Sequence, residues 1–273
     1  MSTQLVFREA ATRLLGPCEV TAVLAAAVAR VALASGEEFV VKQHLNRPAH
    51  EREVHAYRSW TRTLGISAPR LVAVDDQTMT IITSVLPGSP GSGDLTPSVH
   101  RQAGALLRRF HDAEAPRNLT GFHDWLRDRI RHWTRRAATL LPPADAKTIG
   151  THLAALSLMG VPRGVPCHLD FQPRNWLVNT SGDVSLVDFE HARIDLPARD
   201  LVRLRFRIWP NRPALRDAFL DGYGRPLTPA EDQLIWHLGA LDALTAITRG
   251  HEKADPELAA AGRATLRQLR EQP

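Results

Sequence analysis

The segment HLDFQPRNWLV, residues 168–178, places a carboxylate, Asp170, five positions before a carboxamide, Asn175. DFE follows at 188–190, and apolar residues flank nearly every polar one. Asp188 offers a charged oxygen and Asn175 a neutral one. A hairpin closed by TSGD, residues 180–183, could return the first to the second. Magnesium takes one or two protein carboxylates plus phosphate oxygens. Asp170 stands apart from that pair and is free to accept or orient a hydroxyl proton. Phosphoryl transfer needs this division: a metal against phosphate charge, a carboxylate to aim the nucleophile. Alone, Asp170 reads as a turn or cap residue. The set H-x-D-x4-N, then an apolar strand ending in DFE, reads as functional.

These residues need elements to hold them. Residues 19–43 predict three strands, EVTAVL, VARVAL and FVVKQ, with SGEE turning between the last two. Pro48 opens a helix that Gly65 would cap, and short strands are expected near 70–74 and 79–83. LPGSPGSG, 86–93, reads as a flexible joint. Beyond it the period turns helical. Thr96 and Pro97 start a helix that buries Val99, Ala103, Leu106, Leu107 and Phe110. Helices are expected around Trp125, over 144–159, from the capping box TPAE (228–231) to a stop at Gly250, and from Asp255-Pro256. Residues 167–190 read as a loop with strands at 176–179 and 184–187. The fold class is α+β in two lobes: a small β-rich lobe over 1–84, a hinge over 85–93, and a larger helical lobe over 94–273. A cleft between lobes is a natural ligand site.

The composition excludes several classes. Of 273 residues, 44% are hydrophobic and 23% charged, which argues for a globular chain over a disordered one. No apolar run suits a membrane span, the first residues are too polar for a secretory signal, and a cytoplasmic protein is expected. Cys18 and Cys167 form neither a disulfide framework nor a zinc pattern; Cys167 reads as a small buried residue at a strand end. The net charge of +5 raises the question of nucleic acid. In DWLRDRIRHWTRR, however, Arg127, Arg131 and Arg135 form a solvated stripe interrupted by Asp124 and Asp128, opposite Trp125, Ile130 and Trp133. No nucleic-acid partner is expected.

HLDFQPRNWLV…SLVDFEHA resembles the catalytic segment of the aminoglycoside phosphotransferase and choline kinase-like family, distant relatives of protein kinases. VVKQ resembles that family's lysine strand, EREVHAY its acidic helix, APRLVAVDD the next strand, SVLPG the hinge, and LLRRFHDAE the helix leading into the larger lobe. The resemblance implies a protein-kinase-like fold, ATP or GTP as phosphoryl donor, Mg2+, and a small-molecule hydroxyl as acceptor. Asp170 would orient or deprotonate the acceptor, and Asn175 and Asp188 would hold the metal. Lys42 would contact the α and β phosphates with Glu53 as its partner. Backbone groups of Ser84, Val85 and Leu86 would bind the base. Lys42 ends an apolar run where an unpaired charge is costly, and Glu51 is the rival partner. His168 and Asp200 would brace the loop, and Glu190 could steer a cationic acceptor.

The chain departs from the family between its first two strands. LAAAVARV has no glycine, and Ala25–Ala27 resist the positive φ that lets amides approach phosphate. The resemblance points to inactivation of a cationic hydroxylated antibiotic, an aminoglycoside or a tuberactinomycin-type cyclic peptide of the capreomycin and viomycin group, giving resistance. Asp195, Asp217, Asp221, Asp232, Asp242, Glu252 and Asp255 are available for an acidic wall. Two alternatives stay open. One is a kinase of choline, homoserine or another amino alcohol, with Trp209, Trp236 and Tyr223 available for a choline cage. The other is a kinase-shaped nucleotide-binding protein without turnover.

Overall fold

The computed structural model describes residues 3–93 and 95–271. The outer ends of the two expected lobes (1 and 2, 272 and 273) and residue 94, where the second was expected to begin, lie outside the described residues. The chain opens with α1 (Thr3–Leu15), β1 (Cys18–Ala25), β2 (Val28–Leu33), β3 (Glu38–Gln43), α2 (Arg47–Ser59), β4 (Leu71–Asp75) and β5 (Thr80–Ser84). The strands form one antiparallel sheet in the order β1-β2-β3-β5-β4.

Strand alternation decides which face each residue occupies. Ala29 pairs with Val41 and Val31 with Phe39. All four are buried in a small core with Ile82 and with Phe7 and Ala11 of α1. Burying a side chain such as Val31 or Phe39 contributes about 1.5–3 kcal/mol. Lys42, one residue on from Val41, is turned to the opposite face. It pairs with Ile81, which belongs to the other core with Val54 and Tyr57 of α2. The register of one hairpin thus aims Lys42 at the acidic helix.

One sequence expectation changes here. α2 is capped by Asn46, whose side chain accepts from the Ala49 amide, but it ends at Ser59 and not at Gly65. The hydroxyls of Thr61 and Thr63 take the carbonyls of Tyr57 and Trp60, at 3.1 and 2.9 Å, which competes with the helical ladder. A 3-10 stretch follows over Thr61–Ser67. The glycine-free β1–β2 turn is closed by Ala26 and Ala27 with no positive φ, and β1 absorbs the distortion in two register shifts.

The chain continues through β6 (Ser89–Pro90), α3 (Pro97–His111), β7 (Arg117–Asn118), α4 (Phe122–Ala137), α5 (Pro143–Ser157), β8 (Arg163–Cys167), β9 (Trp176–Val178), β10 (Val184–Leu186), β11 (Arg193–Asp195), α6 (Ala198–Arg203), α7 (Pro213–Tyr223), α8 (Pro229–Glu252) and α9 (Pro256–Glu271). The expected joint is tied down, because Ser89 and Pro90 pair with Val178 and Leu177 of the β9–β10 hairpin. Gly88 has φ +115°, and a Cβ there would lie 2.6 Å from the Val178 carbonyl. Thr96, Thr228 with Glu231, and Asp255 cap their helices as the sequence suggests. The stop at Gly250 does not occur; α8 runs through it to Glu252. Gly250 is where α9 meets α8, and a Cβ would sit 2.5 Å from the Ala259 amide. Gly250→Ala is therefore expected to cost about 1–3 kcal/mol through overpacking. Urea unfolding measures it, and an unchanged midpoint would count against this contact.

Candidate active site

The loop from His168 to Asn175 is fixed before any ligand is considered. Leu169 has φ +62° and Asp188 φ +68°, conformations that cost a non-glycine residue of order 1–3 kcal/mol each. The surroundings hold both. Asp200 accepts from the amides of His168 (2.8 Å) and Leu169 (2.5 Å) and is oriented by His111 Nε2 at 3.0 Å. The His168 Nδ1 accepts the Asp170 amide at 3.3 Å, which leaves Nε2 to donate to the Val187 carbonyl at 3.0 Å. Phe189, fully buried, lies against Tyr57, Phe110 and His168. The apolar partners of DFE and HLD are thus anchors for the strained polar residues beside them. His168 and Asp200 stand where the sequence suggested; His111, in the same network, was not singled out.

Lys42 reaches Glu53 at 2.8 Å, Asp188 at 2.6 Å and Glu190 at 3.1 Å. Glu51 is exposed and Glu53 only 1% exposed, which resolves the choice of partner. Burial pulls the ammonium of Lys42 down, but the charges of Glu53, Asp188 and Glu190 outweigh it and its pKa is raised. For Glu53, burial pushes up, while Lys42 and the hydrogen bond from His44 prevail and hold it below its ordinary value. Its other oxygen accepts the Phe189 amide at 3.2 Å, so one buried carboxylate joins the small lobe to the DFE segment.

Glu53→Gln should cost about 3–5 kcal/mol at neutral pH, as expected when a buried pair loses one partner. Because the folded pKa is depressed, this contribution is complete above the unfolded value near 4.3 and fades as pH falls through the folded value. The difference in urea midpoint between wild type and Glu53→Gln should hold from pH 7 to about 5 and shrink below about 4. A difference that grows on acidification would contradict the assignment.

Asp170 is 2% exposed. It accepts from Gln172 at 2.9 Å, from Asn175 at 2.8 Å and from Arg174 at 2.9 Å, and it pairs with Arg203. Burial alone would raise its pKa; the charge of Arg203, then the hydrogen bond and charge of Arg174, hold it well below the usual carboxylate range. It is a fixed carboxylate acceptor. Asn175 also donates to the Asp170 carbonyl at 2.8 Å, so its amide nitrogen is committed, while its side-chain oxygen accepts no hydrogen bond among the described residues. Asp188 gives one oxygen to Lys42, and its second has no protein donor among the described residues. One charged and one neutral oxygen left over make a donor set that a hard divalent cation fits.

Ser84 ends β5. Its amide and hydroxyl are both engaged with Arg70, at 2.9 Å each. Val85 and Leu86 lie outside the strands, with no backbone hydrogen bond of that kind among the described residues.

The expected acidic wall is absent from the cavity beside Asp170. Of the seven acids named above, Asp242 alone lines it among the described residues, and Asp242 is engaged by Arg207 and Arg203. Asp195 serves Arg193 and Arg199, Asp221 serves Arg101, Glu252 serves Arg136, and Asp255 caps α9. Trp209, Trp236 and Tyr223 form no cage. Trp209 packs on Phe219, Trp236 on Phe206, and the Tyr223 hydroxyl meets His111. Burial drives the Cys167 thiol pKa up, consistent with an inert strand-end residue.

A small antiparallel sheet whose lysine meets a helix glutamate, set above helices that carry the aspartate loop and DFE, defines a protein-kinase-like, two-lobed phosphotransferase. A model of the phosphotransferase enzyme family matches residues 22–237, and the chain belongs to that family. It is an enzyme that transfers phosphoryl groups to hydroxyl acceptors on small molecules. Similar solved structures include a choline/ethanolamine kinase family protein from Mesorhizobium loti, with 20% identity, 100% of this chain and 96% of that chain covered, and TM-score 0.72. Another is the AMP-bound complex of spectinomycin phosphotransferase (15%, 97% and 94%, TM-score 0.70). A third is macrolide 2′-phosphotransferase from Brachybacterium faecium (18%, 96% and 97%, TM-score 0.63). At these identities the likeness is one of fold. No curated protein matches the sequence. No helix is long and apolar enough to cross a membrane among the described residues.

Proposed function

We propose that the protein moves the γ-phosphoryl of ATP or GTP to a hydroxyl of a small molecule, with Asp170 as the residue that aims the nucleophile. Lys42, fixed by Glu53, binds the α and β phosphates. Val85 and Leu86 offer backbone groups to the base, so residues 1–84 serve as the nucleotide lobe and 85–93 as the hinge. Asn175 and Asp188 hold magnesium, which when bound neutralises phosphate charge and orients the terminal phosphate. Asp170 accepts a hydrogen bond from the acceptor hydroxyl. As the oxygen bonds to the γ-phosphorus, the bridging β–γ bond breaks, the nucleoside diphosphate leaves and Asp170 takes the proton. A carboxylate held at so low a pKa is a weak base, which suits a loose transition state in which the proton moves late. The single observation that carries this reading is the set of contacts joining Lys42 to Glu53 and Asp188, with Asp170 and Asn175 bonded to each other.

The acceptor is a separate matter. A cationic antibiotic needs walls that welcome ammonium groups. A like-charge pair at 4 Å in a partly shielded site costs about 4 kcal/mol, and arginines surround this cavity. Antibiotic resistance is therefore carried by the family resemblance and not by the cavity. The test is to incubate the protein with magnesium, ATP or GTP, and aminoglycosides, tuberactinomycins, amino alcohols and hydroxy acids, and to look for an added phosphate by mass. A product from any one of them supports the reading. Nucleotide that neither binds nor turns over in any mixture would refute it.

A further inference from the structure

Beside Asp170 lies a cavity of about 380 Å³, the size of a small-molecule site. Leu169 and Phe171, the neighbours of Asp170, form part of its floor. Its walls carry Arg52 of α2, Arg129 of α4, Arg193 of β11, Arg199 and Arg203 of α6, and Arg249 of α8. Five elements, of which only β11 and α6 are neighbours in sequence, bring six guanidinium groups to one concavity. A solvated charge stripe would instead lie along one helix, as Arg127 and Arg131 do on the exposed side of α4, paired with Asp124 and Asp128.

The acids nearby do not balance this set. Among the described residues, Asp200 and Asp242 are the acids that line the cavity. Asp200 is used by two amides and His111, and Asp242 by two arginines. Arg193 and Arg199 share Asp195. Arg52 donates to the Glu190 carbonyl at 2.8 Å, and neither it nor Arg129 nor Arg249 has a carboxylate within 4.0 Å among the described residues. Arg129 is the sharpest case. Its buried Nε has no hydrogen-bond partner, and its guanidinium lies 5.9 Å from the Trp125 ring centre and 5.5 Å from that of Trp133. Burial, then the charges of Arg199, Arg193 and Arg249, bring its pKa down to about 10. A half-buried cation facing three others is stabilised by an anion whose oxygens accept in the fork geometry of guanidinium.

We infer that this cavity binds an anionic group of the acceptor, a carboxylate, sulfate or phosphate, so that the molecule phosphorylated is a hydroxylated anion and not a polyamine. The inference rests on the proposed phosphotransfer at Asp170 for calling the bound molecule an acceptor. Arg203, which pairs with Asp170 and lines the cavity, joins the anion site to the residue that aims the hydroxyl. Arg129 and Arg249 act on binding and touch none of the transferred atoms.

Two arms test it. In the first, the nucleotide site is filled with magnesium and a non-hydrolysable ATP analogue, and sulfate, inorganic phosphate and malonate are titrated calorimetrically. Filling the site keeps these probes off the triphosphate position. Arg129→Gln should weaken binding of at least one probe by tenfold or more, and Arg249→Gln by threefold or more. Arg127→Gln, on the exposed side of the same helix, should change it less than twofold. Whichever probe loses most identifies the group as carboxylate, sulfate or phosphate. Arg52→Gln and Arg249→Gln keep the test valid if Arg129→Gln fails to fold. Absence of binding by all three probes, or an equal loss in Arg127→Gln, overturns the inference. In the second arm, hydroxy acids are compared with amino alcohols of the same length, with product read by mass. Phosphorylation confined to the amino alcohols also overturns it, yet leaves the phosphotransferase reading standing. Failure of the nucleotide analogue to bind in the first arm would instead strike that reading. If neither acceptor set reacts, the titration decides.

Discussion

Asp170→Asn is expected to lower turnover by about 10²–10⁴-fold while nucleotide affinity stays within about threefold of wild type. The substitution keeps the size of the side chain and one oxygen acceptor. It removes the charge that aligns the acceptor hydroxyl and receives its proton. Lys42, Glu53 and Asp188 do not touch Asp170; Asn175 does, but its second bond, to the Asp170 backbone carbonyl, keeps its side chain in place. The variant leaves Arg203 and Arg174 short of a carboxylate, so its unfolding midpoint should also fall, and the assay belongs well below that midpoint. Product formation by rapid quench and nucleotide binding by calorimetry check the two halves separately. Loss of nucleotide binding would contradict the separation of roles.

Asp188→Ala should have the opposite signature. Affinity for the magnesium–nucleotide complex should fall at least about 10–100-fold, the loss seen even when groups behind a metal ligand are removed. Affinity for nucleotide measured in chelator should change little. Alanine is also strained at φ +68°, whereas asparagine tolerates that region and keeps one oxygen. Asp188→Asn is therefore the cleaner variant: metal dependence should weaken with no comparable drop in stability. Unchanged magnesium–nucleotide affinity in both variants would place the metal elsewhere.

Much of this site was legible because its parts are close in sequence. Asp170, Asn175 and Asp188 fall within one loop and hairpin, and the caps at Thr96, Thr228 and Asp255 announce the helices around them. Lys42 was legible because it ends an apolar run where an unpaired charge is costly; the register that sets it opposite the buried face of β3 came only with the structure. What escaped depends on convergence. Arg203 is 33 residues from Asp170, and nothing local marks it as a partner. The stop of α2 at Ser59 coincides with threonine hydroxyls on its last carbonyls, and Gly250 serves the close approach of α9 and not a helix stop, which only the packed pair of helices reveals. The arginine cavity did leave one signal. Trp125, Arg129 and Trp133 are spaced by four, so Arg129 had to lie on the aromatic side of α4 and not in the solvated stripe. The acids proposed for an acceptor wall failed for a related reason. They could be counted in the sequence, but the arginines that engage Asp195, Asp221, Asp232, Asp242 and Glu252 could not be read from it.

The most direct measurement is a crystal structure with magnesium and a non-hydrolysable ATP analogue. The ion should be ligated by Asp188 and by the side-chain oxygen of Asn175, Lys42 should contact the α and β phosphates, and the terminal phosphate should face Asp170. A nucleotide bound away from Lys42, or a terminal phosphate turned from Asp170, would contradict the account.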